Sequence, residues 1–300
     1  RGPVLDGERR PTPAETDMTT SQEATSPAVL ARNCPKCGTD NLASPALAYS
    51  WQEWVLKGCG VCDFVYLENP PGYDALVSEF AWERNHGDRS ERMRAEYPFT
   101  YNFSRAWKKF RRWAIRKPNK LANRIAASFP PGPVVDIGCG SGDYLAALPP
   151  AYEPLGVEIS EELARRATER LADRGGKVYA MSAMDGLAAV PAGTVSGIIM
   201  RSFLEHEQEP ADLLARAWQA LRPGGATIIK VPNYASVNRR VMGDRWCGFR
   251  FPGHVNYFTP QSLRDMVEAA GFRVESFGLF DRFYLSDNMW MVASKPETAS

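Results

Sequence analysis

Short apolar runs and longer amphipathic segments alternate along the chain from residue 130 onward. Apolar runs of strand length lie at 134–137, 155–157, 177–181, 195–200 and 226–231, and helical patterns lie at 144–148, 161–173, 211–221 and 261–270. Two further strands are predicted at 273–279 and 289–294. Such alternation is typical of a doubly wound sheet, because each helix crosses back over the sheet before the next parallel strand begins. We therefore predict an α/β fold in which a seven-stranded sheet carries helices on both faces.

The first part of the chain departs from this alternation. Residues 1–33 contain almost no aromatic or branched apolar side chains, so we predict a disordered leader. Residues 73–129 are interpreted as a helical connector, and their segment 105–124 holds nine Lys or Arg and no acidic residue. Aromatic residues recur there at helical spacing, which favours a helix with one packed and one solvated face. A nucleic-acid-binding face is the alternative interpretation.

Composition and charge narrow the class of protein. The chain has 300 residues, of which 44% are apolar, and this is enough for one large domain and one small one. The formal net charge is only +1, so overall electrostatics favour no polyanionic partner. No apolar run approaches the roughly 18 residues that a membrane span needs, and no signal peptide is recognisable. We expect no membrane contact and a cytoplasmic location.

Four of the six cysteines form two close pairs. Cys34 and Cys37 make the first CxxC motif, and Cys59 and Cys62 make the second, with 21 residues between the two motifs. This spacing predicts a tetrahedral four-cysteine zinc site. Four protein ligands leave no position for water, so the zinc would be structural, and residues 34–72 would form a small zinc ribbon with strands at 46–56 and 64–67. A pair of reduced or redox-active CxxC motifs is the alternative.

A glycine cluster follows the first strand of the predicted sheet. Gly138, Gly140 and Gly142 lie directly before a predicted helix, and glycine lets a ligand approach the main chain closely. Glu158 ends the next apolar run, twenty residues after Gly138, where a nucleotide-binding βαβ unit carries a ribose-binding acid. The pattern predicts a site for a nucleotide-like cofactor, and a purely structural glycine turn is the alternative.

The string from Asp136 to Gly142, DIGCGSG, resembles motif I of the class I S-adenosylmethionine (SAM) dependent methyltransferases. The resemblance implies that residues 130–300 form a Rossmann-like methyltransferase domain, that the turn holds the methionine part of SAM, that Asp136 supports the turn and that Glu158 binds the ribose. Ser182 stands where the family usually has an adenine-binding aspartate, and Asp185 is a possible substitute. Further residues assigned to the cofactor site are Ala183 and Arg201.

Two later strings sharpen the resemblance. Residues 204–206 read LEH and residues 221–225 read LRPGG, as in small-molecule methyltransferases related to ubiquinone-biosynthesis O-methyltransferases. Segment 234–258 interrupts the strand–helix alternation and is rich in aromatic residues and glycine, so it is interpreted as an acceptor lid. Its pattern and the paired cysteines also resemble a methyltransferase subfamily with varied acceptors.

The acceptor must lose a proton as the methyl group arrives, and histidine is the residue best suited to accept it near neutral pH. His254 in the lid and His206 after the fourth strand are the candidate bases, and Tyr257 is expected to orient the acceptor. The third histidine, His86, is assigned to the surface. No acidic cluster typical of metal-dependent catechol enzymes is recognisable, so no catalytic Mg²⁺ is expected.

The sequence thus predicts an enzyme that moves a methyl group from SAM to a hydroxyl or carboxyl oxygen of a small molecule, a sugar or a modified peptide. An RNA methyltransferase is a second hypothesis, although the net charge and the missing Asn/Asp-Pro-Pro-Tyr string count against nucleic acid. A non-catalytic SAM-binding module is a third. The oligomeric state is left open.

Overall fold

The computed structural model describes residues 31–72 and 120–297. The predicted leader up to residue 30, the basic segment up to residue 119 and His86 lie outside the described residues. Helix α1, Lys120–Ser128, covers the end of the predicted connector.

One sheet of seven strands forms the centre of the larger domain, in the order β5-β4-β3-β6-β7-β10-β9. The strands are β3 Gly132–Ile137, β4 Tyr152–Glu158, β5 Lys177–Ala180, β6 Val195–Arg201, β7 Leu221–Pro232, β9 Arg273–Ser276 and β10 Asn288–Ser294. Strands β3 to β7 are parallel to one another, and β10 runs antiparallel to both β7 and β9. The predicted seven-stranded α/β fold is therefore confirmed.

Helices connect these strands and cover the sheet. They are α2 Asp143–Ala146, α3 Glu161–Leu171, α4 Ala183–Ala189, α5 Pro210–Ala220, α6 Val237–Met242 and α7 Pro260–Ala269. Along β3, Val134 belongs to one buried cluster and Val135 to the other. Because successive side chains of a strand point to opposite faces, both faces of the sheet are packed. The sheet is thus buried inside the domain.

Most predicted bounds hold within a few residues, and the exceptions have local causes. Strand β7 begins at Leu221 because the LRPGG turn already pairs with its neighbours, and Gly224 N donates to Lys295 O at 2.9 Å. Strand β9 ends at Ser276 rather than at 279 because the carboxylate of Asp281 accepts from Ser276 Oγ and Gly278 N, which turns the chain.

The cysteine module forms a second, three-stranded sheet. Its strands are β1 Leu56–Gly58 and β2 Val65–Leu67, and the third strand, β8 Asn256–Tyr257, comes from the predicted lid. All are antiparallel, and Val65 pairs with Tyr257. The prediction of a strand over 46–56 was wrong for most of that range, because β1 begins only at its last residue.

Segment 234–258 is packed rather than free. Its side chains share one apolar cluster with the cysteine module, formed by Trp54, Leu56, Val65, Leu67, Trp246, Phe249, Val255 and Tyr257. Trp246 is 1% exposed and donates its indole N–H to Asp287 Oδ1 at 2.8 Å. The predicted acceptor lid is therefore in large part the hydrophobic core between the module and the larger domain.

Arg32, which lies in the predicted leader, makes hydrogen bonds to distant parts of the chain. Arg32 N donates to Glu68 O at 2.8 Å, and the guanidinium makes further hydrogen bonds described below. The composition of a short segment says nothing about one residue that bonds to distant parts of the chain, so these bonds were not expected from the sequence.

Candidate active site

The glycine turn joins the end of β3 to α2 and is anchored on the neighbouring strand β4. The backbone N–H groups of Gly138 and Cys139 donate to the carbonyl of Val157 at 2.8 and 3.1 Å. Gly140 has a φ of 56°, and a Cβ placed on it would meet no atom within 4 Å. The turn thus presents bare main chain to open space, which suits a ligand that approaches the backbone closely. Gly142 packs against Ala167 of α3.

Glu158 lies at the end of β4, beside this turn. Its Oε2 accepts the N–H of Gly140 at 2.8 Å, and its Oε1 accepts the N–H of Ser160 at 3.0 Å. Each carboxylate oxygen retains a lone pair for a further donor. The acid predicted to bind ribose is therefore fixed against the turn predicted to hold the rest of the cofactor.

Asp136 and Arg201 lie at the ends of adjacent strands, β3 and β6. Asp136 is buried, and burial raises its pKa to about 7, while the positive charge of Arg201 acts in the opposite direction. The guanidinium of Arg201 lies over the ring of Tyr144 in α2, with 4.0 Å between its Cζ and the ring centroid. Arg201 is thus held beside the helix that follows the glycine turn.

The predicted adenine-binding residues lie at the start of α4, after β5. Ser182 caps this helix and accepts the N–H of Asp185, and its hydroxyl donates to Asp185 Oδ2 at 2.7 Å. Ala183 is buried. Met181 N donates to Glu158 O at 3.1 Å, so this end of β5 adjoins the acid at the end of β4. The structure therefore brings Ser182, Ala183 and Asp185 to the same edge of the sheet as the glycine turn.

The loop after β6 connects the turn to a second group of polar residues. A Cβ on Gly138 would lie 2.7 Å from the ring of Phe203, so this ring covers the turn closely. Ser202 has a φ of 55°, a strained value for a residue other than glycine. Lys230 of β7 holds it, since its carbonyl accepts Ser202 N at 2.8 Å and its Nζ donates to Ser202 Oγ at 2.9 Å.

Two residues beyond Phe203 lies a cluster that we call the acid–histidine cluster, formed by Glu205, His206 and His254. One potential ligand or proton-accepting atom from each lies within 4.8 Å of the others. The two imidazole rings meet edge to face with centroids 4.7 Å apart. Both candidate bases predicted from the sequence are therefore neighbours, although 48 positions separate them in the chain.

Backbone carbonyls orient both rings. His206 Nδ1 lies 2.7 Å from Gly253 O, and His254 Nδ1 lies 2.8 Å from Gly248 O. Because a carbonyl only accepts, each Nδ1 carries the hydrogen, and the lone pair of each neutral ring is on Nε2. Burial lowers the pKa of His206 to about 4, so this ring is neutral at physiological pH.

Glu205 was not singled out from the sequence, although it is the only acid in the LEH string. It is 1% exposed, and its Oε2 has no hydrogen-bond partner among the residues that the structure describes. Burial raises its pKa to about 7, while the positive charges of Lys230, Arg250 and Arg201 act in the opposite direction. A carboxyl group with a pKa near 7 can exchange a proton at physiological pH, as a general base must. The same three side chains could also ligate a metal ion.

The hydroxyl of Tyr257 is bonded to the backbone of this cluster. The side chain is 2% exposed, its hydroxyl donates to His254 O at 3.0 Å, and burial raises its pKa well above the usual value. The ring packs against Phe249 and Tyr234. The prediction that Tyr257 orients an acceptor is not supported by this position, because the residue belongs to the core shared with the cysteine module.

The four cysteines of the module converge as predicted. The Sγ atoms of Cys34 and Cys62 are 3.6 Å apart, and those of Cys37 and Cys59 are 3.5 Å apart. A zinc ion at about 2.3 Å from four sulfurs needs sulfur–sulfur separations of roughly 3.8 Å. The thiols therefore fit a tetrahedral zinc ion without rearrangement of the chain.

Fold and site together define a class I SAM-dependent methyltransferase. At one edge of the sheet, the parallel strands β3, β4 and β5 are followed by the glycine turn, Glu158 and the helix cap Ser182. The antiparallel strand β10 lies between β7 and β9. A protein-family model for a methyltransferase domain matches residues 109–276, which is more than half of the chain. The protein belongs to this methyltransferase family.

Several curated relatives share part of the chain. A ubiquinone biosynthesis O-methyltransferase of Burkholderia thailandensis is 29% identical over 54% of this chain and 76% of its own. One of Methylococcus capsulatus is 32% identical over 33% of this chain, and a trans-aconitate 2-methyltransferase of Azoarcus is 35% identical over 36%. This chain spans 43% of the length of each of the last two. A solved SAM-dependent methyltransferase of Archaeoglobus fulgidus gives a TM-score of 0.45 at 19% identity, over 63% of this chain and 99% of that one.

None of the helices within residues 31–72 and 120–297 has the length and apolar character that a bilayer crossing requires.

Proposed function

We propose that this protein transfers the methyl group of SAM to a hydroxyl or carboxyl oxygen of a small molecule, a sugar or a modified peptide. The observation that carries the proposal is the loop after β6. Phe203 of this loop covers Gly138 of the glycine turn, and Glu205, two residues on, belongs to the acid–histidine cluster. One short segment thus joins a cofactor cradle to a proton-accepting group.

The cofactor side of the site uses the residues at the ends of β3, β4 and β5. Gly138, Gly140 and Gly142 form the cradle for the methionine part of SAM, and Glu158 accepts the ribose hydroxyls while it stays bonded to Gly140. Asp136 and Arg201 support the turn, and Ser182, Ala183 and Asp185 border the adenine. SAM supplies a methyl group that is already activated on a sulfonium, so the protein has mainly to align donor and acceptor.

The acceptor side lies at the acid–histidine cluster. The acceptor oxygen loses its proton as it forms the new bond, and Glu205, His206 or His254 accepts that proton. Burial raises the pKa of Glu205 to about 7, so its carboxylate is suited to accept a proton at physiological pH. Burial lowers the pKa of His206 to about 4, so that ring is neutral but a weaker base. The relatives named for ubiquinone biosynthesis and for trans-aconitate act on small molecules by their names, which supports a small acceptor.

Zinc belongs in the cysteine module. Cys34, Cys37, Cys59 and Cys62 hold it through four thiolates, and with no ligand position open to water it is a structural ion.

Calorimetry with purified protein tests the first step, since SAM must bind with a measurable heat. Conversion of SAM to S-adenosylhomocysteine in the presence of candidate hydroxy acids, phenols and sugars tests the second. Binding without conversion of any acceptor would favour a SAM-binding module, and RNA binding that weakens steeply with salt would favour RNA as the acceptor. The absence of SAM binding would refute the proposal.

A further inference from the structure

The cysteine module and the acid–histidine cluster share strand β8. On one side, β8 pairs with β2 of the module, and Leu67 N donates to Val255 O at 2.9 Å. On the other side, Val255 N and Asn256 N both donate to Glu205 O, at 2.8 and 3.1 Å. His254 lies two residues before this strand. The backbone of two members of the cluster is therefore tied to the module through a single short strand.

Arg32, which is more than 200 positions earlier in the sequence, forms hydrogen bonds to the same strand and its neighbours. Its Nε donates to Leu67 O at 2.9 Å, its Nη1 donates to Gln208 O at 2.6 Å, and its Nη2 donates to Val255 O at 2.6 Å. One guanidinium thus bonds to the module, to β8 and to the loop after the cluster. A planar group with five N–H donors suits this role, because it can satisfy several carbonyls in fixed directions at once.

Asn256 completes the connection inside the larger domain. Its Nδ2 donates to Leu204 O at 3.0 Å and to Glu207 O at 2.6 Å, and its Oδ1 accepts from Arg32 at 3.1 Å. These carbonyls flank Glu205 and His206 on both sides. The loop that carries the two residues is therefore held by Asn256, which is itself held by Arg32.

The cofactor cradle is anchored elsewhere. The glycine turn bonds to Val157 and Glu158 of β4, and β4 lies on the far side of β3 from β6. A comparable arginine supports that half, since Arg174 donates to the carbonyls of Leu148 and Tyr152 in the segment that joins α2 to β4. Apart from the contact between Phe203 and Gly138, the two halves of the site thus have separate supports.

We infer that the cysteine module is a positioning element of the acceptor half of the site, and that Arg32 and Asn256 are the positioning residues through which it acts. A strand of two residues has little stability of its own, so the placement of β8 depends on β2 and on Arg32. Loss of Arg32, or of the metal-binding cysteines, loosens Glu205 and His254 and leaves the cofactor cradle intact. This inference rests on the proposed function only for what the cluster does.

Hydrogen exchange followed by mass spectrometry, together with SAM calorimetry, tests the inference. In Arg32→Ala, peptides that contain the amides of Val255 and Asn256 should exchange at least tenfold faster, while the dissociation constant of SAM should change by less than twofold. Arg32→Lys should restore part of the protection. Arg174→Ala is the matched control: it should accelerate exchange around residues 143–152 and weaken SAM binding, with β8 unaffected.

A second variant keeps the inference testable if Arg32→Ala does not fold. Cys37→Ser lies on the exposed side of the metal site and should give the same exchange pattern as Arg32→Ala. Unchanged protection of β8 in both variants would overturn the inference, as would a parallel loss of SAM affinity and of protection throughout the chain. A wild-type protein that fails to bind SAM would refute the proposed function instead, and the exchange comparison would still decide the inference.

Discussion

The carboxylate of Glu158 accepts the backbone N–H of Gly140 at 2.8 Å, so an acid at the end of one strand fixes a turn at the end of its neighbour. This contact shapes the turn, and the proposed contact with the ribose would give Glu158 a second role. A change at this position should therefore affect SAM binding more than the loss of a single ligand contact would.

Glu158→Ala is expected to weaken SAM binding by 1.5–3 kcal/mol for each charged hydrogen bond lost, or roughly 10- to 100-fold. Calorimetry measures this directly. Glu153→Ala is the control, because Glu153 lies on the same strand with an exposed side chain. Equal affinities of the two variants for SAM would contradict the assignment of Glu158 to the cofactor.

Substitutions at two glycines of the turn should affect different properties, one the stability of the protein and the other its affinity for SAM. Gly138→Ala would place a methyl group 2.7 Å from the ring of Phe203, so it should lower the melting temperature of the ligand-free protein. Gly140→Ala meets no atom within 4 Å and costs only the strain of a left-handed residue, about 1 kcal/mol. Its larger effect should be on SAM affinity, since the methyl group projects into the space meant for the ligand. The opposite pattern in thermal unfolding and calorimetry would show that the ligand does not lie against Gly140.

The buried carboxyl of Asp136 should make stability depend on pH. Its pKa in the folded protein is about 7, above the ordinary value of 3.8, so the folded state binds the proton more tightly than the unfolded state does. The contribution of Asp136 to stability is therefore full below pH 3.8 and is lost as the pH rises to 7. Relative to wild type, Asp136→Asn should be more stable at pH 8 than at pH 5, by on the order of 2–4 kcal/mol.

Urea unfolding at the two pH values measures this difference, with the exposed Asp212→Asn as the control. A difference between wild type and Asp136→Asn that does not change with pH would mean that Asp136 is ionised in the folded protein at both values. Its pKa would then lie below 5.

The cysteine module should hold one zinc ion whose loss destabilises the protein. Cys59→Ser removes a buried ligand and should abolish this zinc and lower the melting temperature, because the module has a small core of its own. Cys247→Ser is the control, since Cys247 is exposed and lies far from the module in sequence. Cobalt substitution should give thiolate charge-transfer bands in wild type and in the control. Full zinc content in Cys59→Ser would contradict four-thiolate binding.

The parts of the structure that were predictable from sequence are those with local causes. The glycine turn follows from the spacing of Gly138, Gly140 and Gly142 after an apolar run, and Glu158 follows from its distance to that turn. The alternation of strands and helices follows from side-chain periodicity. Paired CxxC motifs place four thiols together because each motif brings two of them to one side.

The parts that were missed depend on contacts between distant segments. Strand β8 has only two residues and no periodicity, so its pairing with β2 leaves no pattern in the sequence. Arg32 lies in a segment of disordered composition, yet it bonds to residues near 208 and 255. Glu205 is a charged residue in an ordinary string, and only its burial beside two histidines gives it a raised pKa.

The acid–histidine cluster should give the methyl-transfer reaction an acidic limb in its pH profile. Burial raises the pKa of Glu205 to about 7, so the carboxylate that accepts a proton is lost as the pH falls below that value. Once an acceptor is identified, the rate of methyl transfer should rise with pH up to about 7 and then level off. Glu205→Gln should lower the rate by roughly 10²- to 10⁴-fold and should remove the limb, because the amide cannot accept the proton. SAM affinity should stay within twofold, since Glu205 lies outside the glycine turn.

Glu207→Gln is the matched control, because it makes the same chemical change two residues away at a buried acid outside the cluster. It should keep both the rate and the acidic limb. His206→Gln and His254→Gln then distinguish the roles of the two rings. A variant with a lower rate and an unchanged acidic limb of the pH–rate profile identifies a ring that orients the acceptor. A Glu205→Gln enzyme with a normal rate and an unchanged limb would place the base outside this cluster.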